Sequence, residues 1–188
     1  MNRIIKSDLF RFHSSCDHFS LVKRLSKDPC FRFLFFFRKA KSSSKISILG
    51  IFYNYLYKRY TIKYGIQIPK TVKLGAGFLM LHQGGIVVNS QTIIGDNCTL
   101  MHNVTIGNTK RGSKQGTPII GNSVYIGPGA VVVGKIKIGN NVLIAPNSYV
   151  NIDIPSDSIV LGNPCVIKPD KDATKGYINN VYEMNLSS

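Results

Sequence analysis

Acidic residues are scarce in this 188-residue chain, where nine Asp and Glu stand against 24 Lys and Arg for a net charge of +15. The imbalance is concentrated at the N-terminal end, since residues 1–64 carry 14 cations and three Asp. A surface of that sign concentrates anions of any kind, whether phosphates, lipid headgroups, acidic polymers or nucleic acid. Zinc-finger spacing, an RNP-like aromatic pattern and a recognition-helix signature are all missing, so nucleic acid is not the expected partner. Cysteine is also sparse. Cys16, Cys30, Cys98 and Cys165 are far apart with no C-x-x-C pair, which argues against a zinc site or a disulfide framework and for free thiols in a reducing compartment. The longest apolar tracts, residues 31–37 and 46–56, fall short of the roughly 18–20 residues that cross a bilayer, and the first eight residues do not build a secretory signal. The expected location is the cytoplasm. With 44% hydrophobic and 18% charged residues and a mean hydropathy of +0.04, the composition is that of a folded domain, not a disordered one.

What the chain does have is a repeat. From Ile120 an aliphatic residue returns every six positions, at Ile126, Val132, Ile138, Ile144 and Val150. Four residues after each start comes a small or β-branched side chain: Val124, Ala130, Ile136, Val142 and Ser148. The same register runs upstream through Val88, Ile94, Leu100 and Ile106. Gly, Asn and Asp gather between the steps, as at Gly95-Asp96-Asn97 and Gly139-Asn140-Asn141, where corners need backbone angles that most side chains resist. Ordinary hairpins give strict alternation with variable loops. A constant six over so many steps instead predicts an all-β solenoid, a left-handed parallel β-helix with three short strands per turn.

The spacing widens to 14 between Ile106 and Ile120, so residues 108–118 (NTKRGSKQGTP) are expected to protrude as a loop, either solvated or closing over a ligand. Residues 1–64 hold no hexapeptide register. Segments 19–25 and 46–60 read as amphipathic helices that cap the open end of the coil, with 41–44 (KSSS) between them. The phenylalanines of 31–37 are expected in core or subunit packing, with contact at a membrane surface as the alternative. The expected organisation is therefore a basic helical region at 1–64, a β-helix at 65–168 and a C-terminal tail at 169–188.

The motifs LHQGGIVVN (81–89), MHNVTIGN (101–108), PIIGNSVYIGPGAVVVG (118–134), KIGNNVLIAPNSYV (137–150) and VLGNPCVIK (160–168) resemble those of the hexapeptide-repeat acyltransferases. The resemblance is strongest to the serine acetyltransferase and colanic-acid acetyltransferase branch. It implies a homotrimer with active sites between neighbouring coils, and direct transfer of an acetyl group from acetyl-CoA to a hydroxyl without a metal. In that family a histidine is the general base, which imidazole suits near neutral pH. His82 matches it, and His102, twenty residues on, is expected to orient the acceptor or polarise the thioester. Coenzyme A is expected along the corners Gly127-Pro128-Gly129 and Ala145-Pro146, with Lys168, Lys110, Arg111 and Lys114 as phosphate candidates.

Where the serine enzymes carry an Asp before the base, a second Asp upstream and a loop His, this chain has Leu81, Gln67 and Thr117. An ammonium buried without a counter-charge is costly. The expected acceptor is therefore a sugar hydroxyl of a bacterial surface polysaccharide, capsule, O-antigen or exopolysaccharide, with the basic N-terminal region at a membrane or acidic substrate. Serine of cysteine biosynthesis is the alternative, and a non-catalytic scaffold or polysaccharide binder is the reading from another class.

Overall fold

Each six-residue step forms one short strand, and three steps close one turn, in a computed structural model that describes residues 1–181. Residues 182–188 of the C-terminal tail lie outside the described residues. The first face of the coil holds Ile66–Gln67 (β1), Ile86–Val88 (β4), Thr105–Gly107 (β7), Val131–Val133 (β10) and Tyr149–Val150 (β13). The second holds Lys73–Leu74 (β2), Ile93–Ile94 (β5), Ile119–Ile120 (β8) and Lys137–Ile138 (β11). The third holds Leu79–Met80 (β3), Thr99–Leu100 (β6), Val124–Ile126 (β9), Val142–Ile144 (β12), Ser158–Leu161 (β14) and Val166–Pro169 (β15). All neighbours are parallel except β15, which turns back antiparallel on β14. The result is the parallel β-solenoid that the repeat predicts, about five turns long.

Register explains the period. Val88, Ile106, Val132 and Val150 stack on the first face, Leu74, Ile94, Ile120 and Ile138 on the second, and Met80, Leu100, Ile126, Ile144 and Val160 on the third. All are buried, so one aliphatic side chain per strand fills the triangle's interior. The small slots at Cys98, Val104, Val124, Ala130, Val142 and Ser148 are buried as well, because they sit where the chain bends around a corner and little volume is left.

Four helices precede the coil: Arg3–His13 (α1), His18–Lys27 (α2), Pro29–Ser42 (α3) and Ile48–Tyr64 (α4). α2 and α4 fall on the two helical segments expected from sequence, and α1 and α3 are additional. α3 was hidden by its own composition, since a helix enclosed on several sides has no polar face to set a period. Its start is nonetheless well marked, with Asp28 accepting hydrogen bonds from the Cys30 and Phe31 amides and Pro29 in the first turn. Phe33, Leu34 and Phe37 plug the end of the coil against Ile66, Ile68 and Phe78, and Phe31 is buried too. Phe31, Phe33 and Phe37 are thus packing material, while Phe35 and Phe36 are half-buried, edge to face with each other, with Phe36 against Tyr53 and Tyr60 of α4.

Two buried arginines fasten the helices to the first turns. Arg38 pairs with Asp8 at 2.9 Å and donates to the Leu74 carbonyl, while the Phe78 amide donates to Asp8. Arg11 donates to the Gly77 carbonyl, to Thr99 and to the Asn179 carbonyl of the tail. The tail crosses the third face, where Ala173 packs with Met101, Tyr125 and Leu143. The 108–118 loop folds against the coil between the first and second faces, with a Thr109–Gly116 bridge and a Lys114 Nζ bond to the Asn151 carbonyl.

Candidate active site

The bend from the third face back to the first recurs once per turn, at residues 81–85, 101–104, 127–130 and 145–148. Backbone bonds join successive levels: Asn103 N donates to Gly84 O at 2.9 Å, Gly129 N to His102 O at 3.1 Å and Asn147 N to Pro128 O at 2.9 Å. His82, His102, Gly127-Pro128-Gly129 and Ala145-Pro146, read separately from sequence, therefore occupy one column along one edge of the solenoid. At Gly129, whose φ is +72°, the column leaves little room, since a Cβ there would lie 2.1 Å from Asn147 Oδ1, whereas Gly84 in the first bend has open space.

At the top of the column the two imidazoles meet edge to face, with ring centroids 5.5 Å apart at 86°. His82 is exposed and His102 half-buried. Among the described residues no hydrogen bond holds the His82 ring, and buried Nδ1 of His102 has no partner. The His102 ring is thus in aromatic contact with His82 without a hydrogen bond between them. His13 contacts Arg24 at 3.4 Å without lining the cavity described next, and His18 begins α2.

His82, Leu81 and Gln83 line a cavity of about 300 Å³ whose other wall is the α2–α3 junction: Arg24, Lys27, Asp28, Pro29 and Cys30. Asp28 does double duty there, capping α3 through one oxygen and pairing with Arg24 at 3.3 Å through the other. Burial pushes the Cys30 thiol up to about 12, with Asp28 adding to the effect, so Cys30 is no thiolate nucleophile near neutrality. That leaves an imidazole as proton acceptor, two cations and one carboxylate in a space of small-molecule size.

Arg24, Lys27 and Asp28 are absent from the residues expected from sequence. The Asp-Pro pair signals a helix start, but nothing local says that it faces a corner 54 residues away. Lys110, Arg111 and Lys168 do not line this cavity; the first two sit on the loop at another edge, and Lys168 lies on β15 opposite Ile159. Gln67 is exposed on β1, and Thr117 lies two residues before β8, with Pro118 between them.

Residues 117–151 match the bacterial transferase hexapeptide model of six repeats. A serine acetyltransferase of Synechococcus elongatus is 40% identical over 100 residues, which are 53% of this chain and 41% of that protein. The chain spans less than two thirds of the length of the curated relatives it matches. Among solved structures, serine acetyltransferase from Brucella abortus in complex with coenzyme A superposes with a TM-score of 0.74 at 27% identity, covering 89% of this chain and 67% of that one. Serine acetyltransferase of Neisseria gonorrhoeae in complex with serine gives 0.71 at 28% identity, covering 88% and 68%. These likenesses overturn the expected sugar acceptor, because the matched relatives and structures are serine enzymes. The physical reason lies in the fold. The missing carboxylates at 67 and 81 implied a site without an anion, whereas the helical region brings Asp28 into the cavity.

Proposed function

From the premise that this chain belongs to the hexapeptide-repeat transferases, we propose that it is an O-acetyltransferase moving the acetyl group of acetyl-CoA to the hydroxyl of serine. The observation that carries the reading is the cavity that joins His82 to Arg24, Lys27 and Asp28. A free amino acid is a zwitterion, and this cavity offers cations to its carboxylate and an anion to its ammonium. A neutral sugar would give Lys27 and the Arg24–Asp28 pair no ligand charge to engage, whereas a zwitterion meets both signs.

The reaction follows from those placements. His82 removes the proton of the serine hydroxyl as that oxygen attacks the thioester carbonyl. The tetrahedral intermediate collapses, the carbon–sulfur bond breaks, and the imidazolium returns its proton to the departing thiolate, giving O-acetylserine and free coenzyme A. His102 positions the His82 ring. The donor's pantetheine arm runs down the column past Gly127-Pro128-Gly129 and Ala145-Pro146, where Pro128, Gly129, Ala145 and Pro146 are at least partly open to solvent and Gly127 is buried beneath the next turn. Lys168, Lys110 and Arg111, outside the cavity, are the cations for the donor's phosphates; the loop pair serves a neighbouring coil of a homotrimer, since it lies at another edge of its own. The site of action is the cytoplasm, where four unpaired thiols persist.

Purified protein with acetyl-CoA and L-serine should release coenzyme A, followed by thiol titration, with His82→Ala slowed by about 10²–10⁴-fold. Undiminished turnover in His82→Ala would overturn the assignment of the base, and turnover on sugars but not on serine would overturn the acceptor.

A further inference from the structure

α4 carries an outward face that no other part of the described chain covers. Ile48, Phe52, Tyr55, Arg59 and Ile62 recur at steps of four and three, so they share one side of the helix. Ile48 is 87% exposed, Phe52 51%, Tyr55 60% and Ile62 84%. The opposite side is already occupied, since Tyr57 packs on Phe33 and Tyr60 on Phe36 of α3. A surface helix ordinarily keeps its apolar stripe for the core. α4 has apolar residues on both sides, and the solvent side is edged with exposed Lys58 and Lys63. Lys45 and Lys70 line the same shallow groove as Tyr55 and Lys58.

Charge decides what fits. From residue 29 to residue 95 the sequence contains no Asp or Glu. A second copy laid against this face, helix to helix, sets cations against cations. A copy placed side by side offers it few free acids, because Asp153, Asp157, Asp170 and Asp172 belong to the far end of the solenoid, while nearer by Asp17 caps α2, Asp28 pairs with Arg24 and Asp96 accepts from the Ala76 amide. A nucleic acid satisfies the cations and leaves Ile48, Phe52 and Ile62 in water. An anionic bilayer surface takes both, with apolar side chains entering the acyl boundary and Lys and Arg reaching headgroup phosphates.

We infer that α4 is a membrane-surface helix, lying in the headgroup plane of a bilayer rich in anionic lipid. It does not cross: no helix of the described residues is long and apolar enough to do so. The inference is independent of the acceptor, since the face and the His82 cavity share no residues.

The full chain should float with vesicles of phosphatidylcholine containing about a third phosphatidylglycerol, remain in solution with pure phosphatidylcholine, and be released by about 0.5 M salt. Each cation near the surface is worth about fivefold in partitioning, so Lys58→Glu/Arg59→Glu/Lys63→Glu should lower flotation by well over tenfold. Phe52→Glu/Ile62→Glu should lower it similarly, and both variants should keep the parent's thermal midpoint. The chain has no tryptophan. Phe52→Trp therefore supplies a single reporter, whose emission should shift to the blue on adding the anionic vesicles. Flotation that ignores these substitutions, equal binding to neutral vesicles, or an unshifted Trp spectrum would overturn the inference. So would substitutions that split an oligomer in sedimentation while the parent fails to float, which would make the face a contact between copies.

Discussion

His82 and Asp28 meet across one cavity but were not equally visible beforehand. His82 stands in a run, LHQGGIVV, whose family likeness singles it out, whereas Asp28 reads as a helix cap and nothing more until the fold turns the α2–α3 junction toward the corner. Its two roles can be separated. Asn caps a helix about as well as Asp does. Asp28→Asn should therefore keep the thermal midpoint of the parent while raising KM for serine by about ten- to a hundredfold, the worth of one charge-assisted hydrogen bond. Asp28→Ala should lose affinity and also about 1 kcal/mol of stability. Steady-state kinetics beside a urea titration make the comparison, and equal KM in Asp28→Asn and the parent would remove Asp28 from the acceptor site.

At the scale of the strand, the hexapeptide register was legible because each step repeats the same demand. One aliphatic residue points into a triangular interior, and one small residue fits the bend. Ile126 is 1% exposed in the third-face stack, between Leu100 and Ile144. Ile126→Ala should cost about 2–5 kcal/mol in a denaturant titration, the usual range for a buried isoleucine emptied to alanine. Gly129→Ala should also destabilise, for a different reason: its left-handed backbone and the Asn147 amide one turn on leave no place for a methyl group. Restoring the parent's stability by Asn147→Gly in the Gly129→Ala background would show that the contact, more than the backbone angle, sets the cost. α3 was not legible in the same way. Its phenylalanines face the coil, α1 and α4 together, so no single polar stripe betrays the helix.

Over the whole molecule, helices, coil and tail are joined by buried groups with consequences for pH. Burial pushes the thiols of Cys30 and Cys98 up to about 12 from an ordinary value of 9.0. Below pH 9 both the folded and unfolded chains hold these protons, and neither thiol affects stability. Between about 9 and 12 only the unfolded chain ionises, so stability falls as pH rises through that window. The urea midpoint should decline from pH 8.5 to pH 10.5, and Cys98→Val should flatten the decline, valine being at home in the same slot at Val104, Val124 and Val142. An unchanged slope in that variant would exclude Cys98 as a source. The sequence by itself determined the solenoid, its strand period and the column of His82, His102 and the Gly-Pro corners, because a repeat states the same local geometry many times over and errors at one turn are outvoted by the others. Only the tertiary structure decided which helix plugs the coil, where the tail lies, which face of α4 is left bare and which charges line the His82 cavity. Each of those depends on contacts between segments far apart in the chain, and a non-repeating segment carries no local record of its distant neighbour.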